Sequence, residues 1–218
     1  MSDVSCIRNR ENVSMTFEVN TIYNEDCFEF MKKQSDSSFD ESFTSPPYNR
    51  VRNDTYAEFD DVNDHYLEML DKLTDELLRI TKKGVIVWIK NNPQPNSNYR
   101  ESDKTYSVTN AFEYFVVFSK DPKEFRANNR IYNYIRSNVN SEHFEGHGAV
   151  MKKQIAEHFI SNFTKEGDIV FDPFMGVGTT AVVCRDYNRG YVGCEIVAKY
   201  CDMADRRIKN SGLQMKLF

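Results

Sequence analysis

Short apolar runs alternate with segments of helical periodicity along most of this sequence. The run Val85–Ile89, for example, has the length and continuous apolar character of a strand that is buried on both faces. Such alternation is typical of a layered α/β fold with a mostly parallel sheet. We predict strands at Thr21–Tyr23, Phe39–Thr44, Val85–Ile89, Glu113–Ser119, Asp168–Phe171 and Tyr191–Glu195, and helices at Asp26–Lys33, Asp61–Thr81, Val150–Phe163, Gly178–Tyr187 and Val197–Lys209.

Polar stretches mark the boundaries between these segments. Residues 1–19 are predicted to form a polar N-terminal arm that precedes one domain at 20–218. The Lys82–Lys83–Gly84 sequence is predicted to close the long helix, because basic residues and glycine favour helix ends. We predict loops at Asn91–Ser107 and at Lys120–Gly148.

Composition and charge restrict the class of protein. The five cysteines form no Cys-x-x-Cys pair, so a disulfide framework or structural zinc site is not expected. The net charge of −5 counts against indiscriminate binding of nucleic acid, yet allows an enzyme that grips DNA on one face. No apolar run approaches the roughly 18 residues that a membrane helix needs, and the N-terminus lacks an export signal. We therefore expect a cytoplasmic or nucleoid-associated protein without membrane contact.

A glycine-rich segment joins a predicted strand to a predicted helix, with the sequence Phe-Asp-Pro-Phe-Met-Gly-Val-Gly-Thr-Thr at 171–180. Gly176 and Gly178 allow a sharp turn and a close approach of the backbone to a ligand. The amides at the helix start, with the hydroxyls of Thr179 and Thr180, can bind an anion such as a carboxylate. Glu195 ends the next strand, where it can accept hydrogen bonds from ribose hydroxyls. The pattern predicts a nucleoside-containing cofactor and leaves nicotinamide dinucleotide open at this point.

A second motif, Thr-Ser-Pro-Pro-Tyr at 44–48, closes another predicted strand. The two prolines stiffen the turn and fix the directions of its carbonyl groups. An exocyclic amine on a nucleobase is a poor nucleophile, because its lone pair is delocalised into the ring. The Ser45 hydroxyl and the Pro46 carbonyl could accept both of its N–H groups and localise that lone pair. Pro47 holds the turn, and Tyr48 offers a flat face on which an extruded base can stack.

Together the two motifs resemble the amino-methyltransferases that modify DNA at cytosine N4 or adenine N6. The Pro-Pro-Tyr turn precedes the glycine loop, which is similar to the permuted order of that family's β group. The resemblance implies a Rossmann-like fold with helices on both faces of the sheet, S-adenosylmethionine as cofactor, DNA as partner and no metal. It also implies a catalytic half at 20–120 and a cofactor-binding half at 147–210.

The resemblance assigns roles to individual residues. It implies catalytic roles for Ser45, Pro46, Pro47 and Tyr48. It implies cofactor contacts for Asp26, Thr44, His147, Asp172, Pro173, Phe174, Gly176, Gly178, Thr179, Thr180 and Glu195. Serine at the first motif position is typical of N4-cytosine enzymes and aspartate of N6-adenine enzymes. We therefore expect cytosine, with adenine as the alternative.

The segment at 121–146 is too short for a separate recognition domain. It interleaves cations, amides and aromatic rings, which suits contacts to phosphates and base edges. We predict DNA contacts from Arg126, Arg130, Tyr132 and Arg136. Asn128 is one of the amide side chains that lie among these residues. The sequence leaves open a homodimer, a cognate restriction nuclease, and a nucleotide-binding module or oxidoreductase without methyl transfer.

Overall fold

The computed structural model describes residues 16–47, 66–89, 99–101, 104–106, 114–121, 123, 125–128 and 150–214. The strands in these ranges are β1 (Thr21–Tyr23), β2 (Phe39–Thr44), β3 (Thr81–Ile89), β4 (Tyr99–Glu101), β5 (Lys104–Tyr106), β6 (Tyr114–Phe118), β7 (Ile169–Asp172) and β8 (Gly190–Cys194). The helices are α1 (Cys27–Lys32), α2 (Tyr66–Ile80), α3 (Lys153–Phe163), α4 (Thr179–Asp186) and α5 (Ala198–Gln214). No helix within the described ranges is long and apolar enough to cross a membrane.

Six of the strands form one sheet in the order β1-β8-β7-β2-β3-β6. Every neighbouring pair is parallel except β3 and β6, which are antiparallel. Strands β4 and β5 pair with each other in a separate two-stranded sheet. The predicted mostly parallel α/β sheet is therefore confirmed.

Both faces of the large sheet are covered by helices. Along β3, Val85 and Val87 join one apolar cluster while Ile86 and Trp88 join the other, because successive strand residues point to opposite faces. Helices α1 and α2 supply the first cluster, and α3, α4 and Ile208 of α5 supply the second. This two-sided burial explains why Val85–Ile89 reads as a continuous apolar run.

Helix α1 begins where the sequence predicted it. The Asp26 carboxylate accepts hydrogen bonds from the amides of Phe28 (2.9 Å) and Glu29 (3.1 Å), the usual work of an N-cap. Phe30 and Met31, on the predicted apolar face, are buried.

Helix α2 ends at Ile80, one residue before the predicted end. The prediction that Lys82–Lys83–Gly84 closes the helix is wrong, because residues 81–84 begin β3. Thr81 pairs with Phe39 of β2, and its hydroxyl lies 2.6 Å from that of Ser42. Gly84 is not a helix cap. A Cβ at this position would lie 2.4 Å from Cδ2 of Phe125, so the glycine makes room for that ring.

The two lysines before Gly84 form ion pairs near the start of β3. Lys82 contacts Asp40 at 3.0 Å, and Lys83 contacts Asp168. The basic run therefore neutralises carboxylates that neighbouring strands bring to the same edge.

Other boundaries also differ from the prediction. The stretch predicted as a loop at Asn91–Ser107 contains the β4–β5 hairpin, and α3 begins at Lys153 instead of Val150. Helix α5 extends beyond the predicted end to Gln214. Within the predicted N-terminal arm, Phe17 is buried and stacks on Phe39 with ring centroids 4.7 Å apart, so the apolar contact fixes this part of the chain.

Strand β2 contains a buried carboxyl group. Its register with β3 shifts between Phe39 and Glu41, after which Glu41 lies on the same face as Phe43. The side chain is 1% exposed, and neither of its carboxyl oxygens has a hydrogen-bond partner among the described residues. Burial raises the pKa of Glu41 well above its usual value, and Lys83 opposes the shift only in part.

We expect the Glu41 side chain to make the fold less stable as pH rises. Because its pKa is raised in the folded state, the folded protein holds a proton that the unfolded chain releases, so stability falls between the unfolded and folded pKa values. Thermal unfolding at increasing pH above the ordinary glutamate pKa of about 4.3 should show a loss of up to about 1.4 kcal/mol per pH unit from this group.

Glu41→Met should flatten this slope and raise stability at neutral pH by about 1–3 kcal/mol, because it removes a buried polar group without a partner. Glu41→Gln is the control, since it removes the titration but keeps a polar side chain. An unchanged slope in both variants would contradict the assignment.

Candidate active site

The carboxyl ends of four adjacent parallel strands meet at one edge of the sheet. In spatial order these strands are β1, β8, β7 and β2, and they lead into Asn24, Glu195, Pro173 and Ser45. Ligands of open α/β sheets bind outside this edge, at the point where the chain connections change direction. Here that point lies between β7 and β2, and the structure brings the glycine loop and the Ser45 turn together there.

The glycine loop is a tight turn tied to the neighbouring strand. The amide of Met175 donates to the carbonyl of Cys194 (2.8 Å), and the amide of Gly178 donates to the carbonyl of Met175 (2.9 Å). Gly176 and Gly178 have φ values of 53° and 81°, in the left-handed region that favours glycine. A Cβ on Gly178 would also lie 2.9 Å from Cβ of Ala204 in α5.

Gly193 of β8 supports the same loop and was missed by the sequence analysis. A Cβ at this position would lie 2.2 Å from Cε of Met175 and 2.8 Å from the carbonyl oxygen of Asp172. The close packing of the loop on the sheet therefore requires glycine in the strand. Within the sequence, this residue is one more glycine in an apolar run, and no local signal distinguishes it.

Glu195 connects the end of β8 to the glycine loop. Its carboxylate oxygens accept from the amides of Gly176 (2.8 Å) and Val197 (2.9 Å). Burial raises the pKa of Glu195, and these backbone hydrogen bonds oppose the shift. Each carboxylate oxygen can accept a further hydrogen bond, so the predicted ribose contact is chemically compatible with this arrangement.

Asn24 holds the adjoining strand ends together and was also missed. Its side-chain amide donates to the carbonyls of Glu195 (2.8 Å) and Ile196 (3.0 Å). Asp26, predicted to contact the cofactor, caps α1 in the structure. Its cofactor contact stays a prediction.

Asp172 lies at the centre of the site. One oxygen accepts from the Thr44 hydroxyl (2.8 Å) and from the Phe174 amide (3.0 Å), and the other accepts from the Thr180 hydroxyl (2.6 Å). Asp172 is 2% exposed. Burial raises the pKa of its carboxyl group to about 6, and the three hydrogen bonds oppose this shift. At neutral pH it is therefore mainly a buried carboxylate held by three donors.

The two threonines after the glycine loop are directed into the protein. Thr179 donates to the carbonyl of Met151 (3.2 Å) and accepts from Arg207 (2.8 Å), whereas Thr180 donates to Asp172. Both side chains are buried. Their hydroxyls thus hold the start of α4 against the protein interior.

The predicted catalytic turn follows β2 directly. Ser45 is half-buried, Pro46 is buried and Pro47 is exposed. Pro173 is buried in the neighbouring loop, and Phe174 packs against the cluster that contains Phe171. The predicted stacking residue Tyr48 lies outside the described residues.

The predicted DNA contacts are described only at their start. Arg126 is exposed, as a phosphate contact requires. The side-chain amide of Asn128 donates to the carbonyls of Ser161 (3.2 Å) and Thr164 (2.8 Å), so it anchors the chain to the end of α3. Arg130, Tyr132, Arg136 and His147 lie outside the described residues.

Val150, three residues after the predicted cofactor residue His147, lies beside the glycine loop. Val150 packs in one cluster with Val177 and Tyr200. Within the described ranges, no group of three or more His, Cys, Asp or Glu side chains could hold a metal ion.

Comparison with known proteins identifies relatives of this chain. The orphan methyltransferase M.BamHII of Bacillus amyloliquefaciens is 27% identical across 80% of this chain and 90% of its own length. The type II methyltransferase M.Cfr9I of Citrobacter freundii is 34% identical, but the match covers 57% of this chain and 43% of that protein. The chain thus spans nearly all of one relative and less than half of the other.

Solved structures with the same fold include two at low sequence identity. A complex of M1.HpyAVI with SAM superposes with a TM-score of 0.55 and 22% identity, covering 86% of this chain and 98% of that one. The cytosine-N4-specific PvuII DNA methyltransferase superposes with a TM-score of 0.63 and 15% identity, covering 88% and 90%. These likenesses support the Rossmann-like methyltransferase fold.

The family profile described as DNA methylase, N6_N4_Mtase, matches residues 83–206. This range runs from β3 to α5 and contains the whole glycine loop, and the Ser45 turn precedes it. Because the match covers more than half of the chain, the protein belongs to the N6_N4_Mtase family of DNA methylases.

Proposed function

We propose that this protein transfers a methyl group from S-adenosylmethionine to the exocyclic amino group of a DNA base, with cytosine N4 favoured over adenine N6. The observation that carries the proposal is the 2.8 Å hydrogen bond from Thr44 to Asp172. It brings the residue before Ser45 into contact with the loop that would hold the cofactor. Family membership supports methyl transfer over the oxidoreductase alternative.

The residues at the sheet edge fit S-adenosylmethionine. The left-handed glycines and the close packing of Gly178 on Ala204 leave a backbone surface with no side chain at these positions, which suits close approach of a ligand. Glu195, half-buried at the end of β8, would accept the ribose hydroxyls, and Asp26 at the neighbouring strand end would face the adenosine side. When bound, the cofactor supplies a methyl group on a cationic sulfur, from which it can be transferred directly to nitrogen.

Ser45 and Pro46 would prepare the acceptor amine. With the Ser45 hydroxyl and the Pro46 carbonyl each accepting one N–H, the nitrogen is drawn towards tetrahedral geometry and its lone pair points to the donor. The serine hydroxyl is a weak base, so its contribution is orientation and charge stabilisation. As the N–C bond forms and the S–C bond of the donor breaks, S-adenosylhomocysteine would be released. The methylated nitrogen, now cationic, would lose its extra proton to water.

The preference for cytosine comes from Ser45, since serine at this position is typical of the N4-cytosine enzymes. The PvuII enzyme is cytosine-N4-specific, but at 15% identity it supports the fold and adds nothing on the base. Adenine N6 remains the alternative because the same acceptors could hold either amine.

DNA contact would come from the chain around the exposed Arg126 together with Arg130, Tyr132 and Arg136. The shortness of this stretch favours a short or loosely defined recognition sequence. Because the chain as a whole is acidic, the cations of this stretch would provide the contacts to the DNA phosphates. We expect the protein to act inside the cell on DNA, and a homodimer or a cognate restriction nuclease would be a separate property to test.

The modified base can be identified directly. Unmethylated plasmid DNA is incubated with the protein and methyl-labelled S-adenosylmethionine, digested to nucleosides and analysed by mass spectrometry. We expect label in N4-methylcytosine. Label in N6-methyladenine would overturn the base preference alone, and absence of label from every nucleoside would overturn the proposed function.

Two substitutions should separate catalysis from cofactor binding. Ser45→Ala should lower methyl transfer by about 100-fold or more while the Kd for S-adenosylmethionine stays within about threefold, because only an acceptor for the amine is lost. Gly178→Asp should lose cofactor binding, since its φ of 81° and the nearby Ala204 do not tolerate a side chain.

The controls use binding and thermal melting. Ser38→Ala, a serine at the opposite end of β2, should keep both properties. S-adenosylmethionine should raise the melting temperature of the wild type and of Ser45→Ala, and leave that of Gly178→Asp unchanged. Stabilisation of the wild type by nicotinamide dinucleotide alone would favour the oxidoreductase alternative.

A further inference from the structure

The sequence assigned Thr44 to cofactor binding, but the structure gives its hydroxyl another partner. Thr44 is 0% exposed, and its hydroxyl donates to the buried carboxylate of Asp172. Asp172 in turn accepts from Thr180, the second residue of α4. A chain of buried hydrogen bonds therefore runs from the last residue of β2 through the end of β7 to the helix after the glycine loop.

This chain of hydrogen bonds lies where the sheet itself provides no connection. The pairing of β2 with β7 includes Glu41 with Val170 and Ser42 with Phe171, and goes no further towards the carboxyl edge. On either side the pairing continues, to Thr44 with Val87 between β2 and β3 and to Asp172 with Gly193 between β7 and β8. Beyond Ser42, the Thr44–Asp172 bond is thus the connection between the two strands that the described residues show.

The Thr44–Asp172 hydrogen bond is placed to set the position of Ser45. Ser45 follows Thr44 directly, so its Cα lies one peptide step, about 3.8 Å, from that of Thr44. Hydrogen bonds to a buried carboxylate are short, strong and directional. An apolar residue could fill the same space, and the hydroxyl adds direction to the contact. A shift of Ser45 of about 1 Å relative to the cofactor loop could cost methyl transfer about 100-fold.

We propose that Thr44 and Asp172 are positioning residues, which act as a buried strut that sets the catalytic turn at a fixed distance from the cofactor loop. The inference rests on the proposed function, and it gives Thr44 an indirect role through Asp172 in place of direct contact with the cofactor. Thr180 holds the opposite side of the same carboxylate.

The test compares Thr44→Val with Thr81→Val. Both substitutions remove a buried threonine hydroxyl and keep the branched shape, but the Thr81 hydroxyl of β3 bonds Ser42 of β2 and so connects a different pair of strands. The single-turnover rate of methyl transfer to unmethylated plasmid DNA, at saturating S-adenosylmethionine, should fall about 10- to 100-fold in Thr44→Val and less than about twofold in Thr81→Val. The Kd for S-adenosylmethionine should change by less than about threefold in both.

Thr44→Ser should restore the rate, because it keeps the hydroxyl. Should the valine variant fail to fold, Thr44→Ala removes the same hydroxyl and is compared with Thr81→Ala. Equal single-turnover rates in the Thr44 and Thr81 variants would overturn the proposal.

A second readout does not depend on activity. Hydrogen–deuterium exchange is measured with and without S-adenosylhomocysteine, on peptides that cover residues 39–47 and 169–180. In the wild type and Thr44→Ser, the ligand should slow exchange in both peptides. In Thr44→Val it should slow exchange only in the second. Protection of both peptides in Thr44→Val would overturn the strut.

The two proposals fail in different ways. If the wild type methylates no base, the proposed function is wrong, and the exchange experiment alone decides whether the strut exists. If the wild type methylates DNA and Thr44→Val does so equally well, only the strut is wrong.

Discussion

The Asp172 carboxylate lies in the interior of the protein, where a charge is costly unless hydrogen bonds surround it. Its donors come from three parts of the chain: the end of β2, the glycine loop and the start of α4. Hydrogen bonding of this one carboxylate therefore requires all three parts of the chain to lie close together. The fold and the candidate site depend on the same contact, because the buried carboxylate has its donors only when the end of β2, the glycine loop and the start of α4 are all in place.

The parallel sheet determines where this contact forms. Strand β7 is central and adjoins β8 on one side and β2 on the other, so the residues that follow these strands emerge at one edge. The chain reaches the Ser45 turn long before the glycine loop, yet the topology makes them spatial neighbours. The family profile matches the glycine loop, and the structure supplies the bond that connects this loop to the segment before Ser45. Glu195, Asn24 and Gly193 then shape the side of the site on which the cofactor is proposed to bind.

The spacing of apolar residues predicted the strands of the large sheet and the helices that cover it. Burial on two faces leaves a continuous apolar run in a strand, and a capped helix leaves polar residues at its start. The bounds of α1 were correct to within one residue and those of β2 to the residue. The start of β3 was wrong, since a basic pair followed by glycine is typical of a helix end. Only the tertiary partners Asp40, Asp168 and Phe125 reveal its role at a strand start. Gly193, Asn24 and the Thr44–Asp172 bond could not be predicted, because each depends on contacts between segments far apart in sequence.

A crystal structure of the protein with S-adenosylhomocysteine would test the central claim most directly. We expect the ligand to lie along the glycine loop, with its ribose hydroxyls against Glu195 and its sulfur facing the Ser45 turn across the Thr44–Asp172 bond. A ligand bound at another edge of the sheet, or one whose sulfur points away from Ser45, would contradict the central claim.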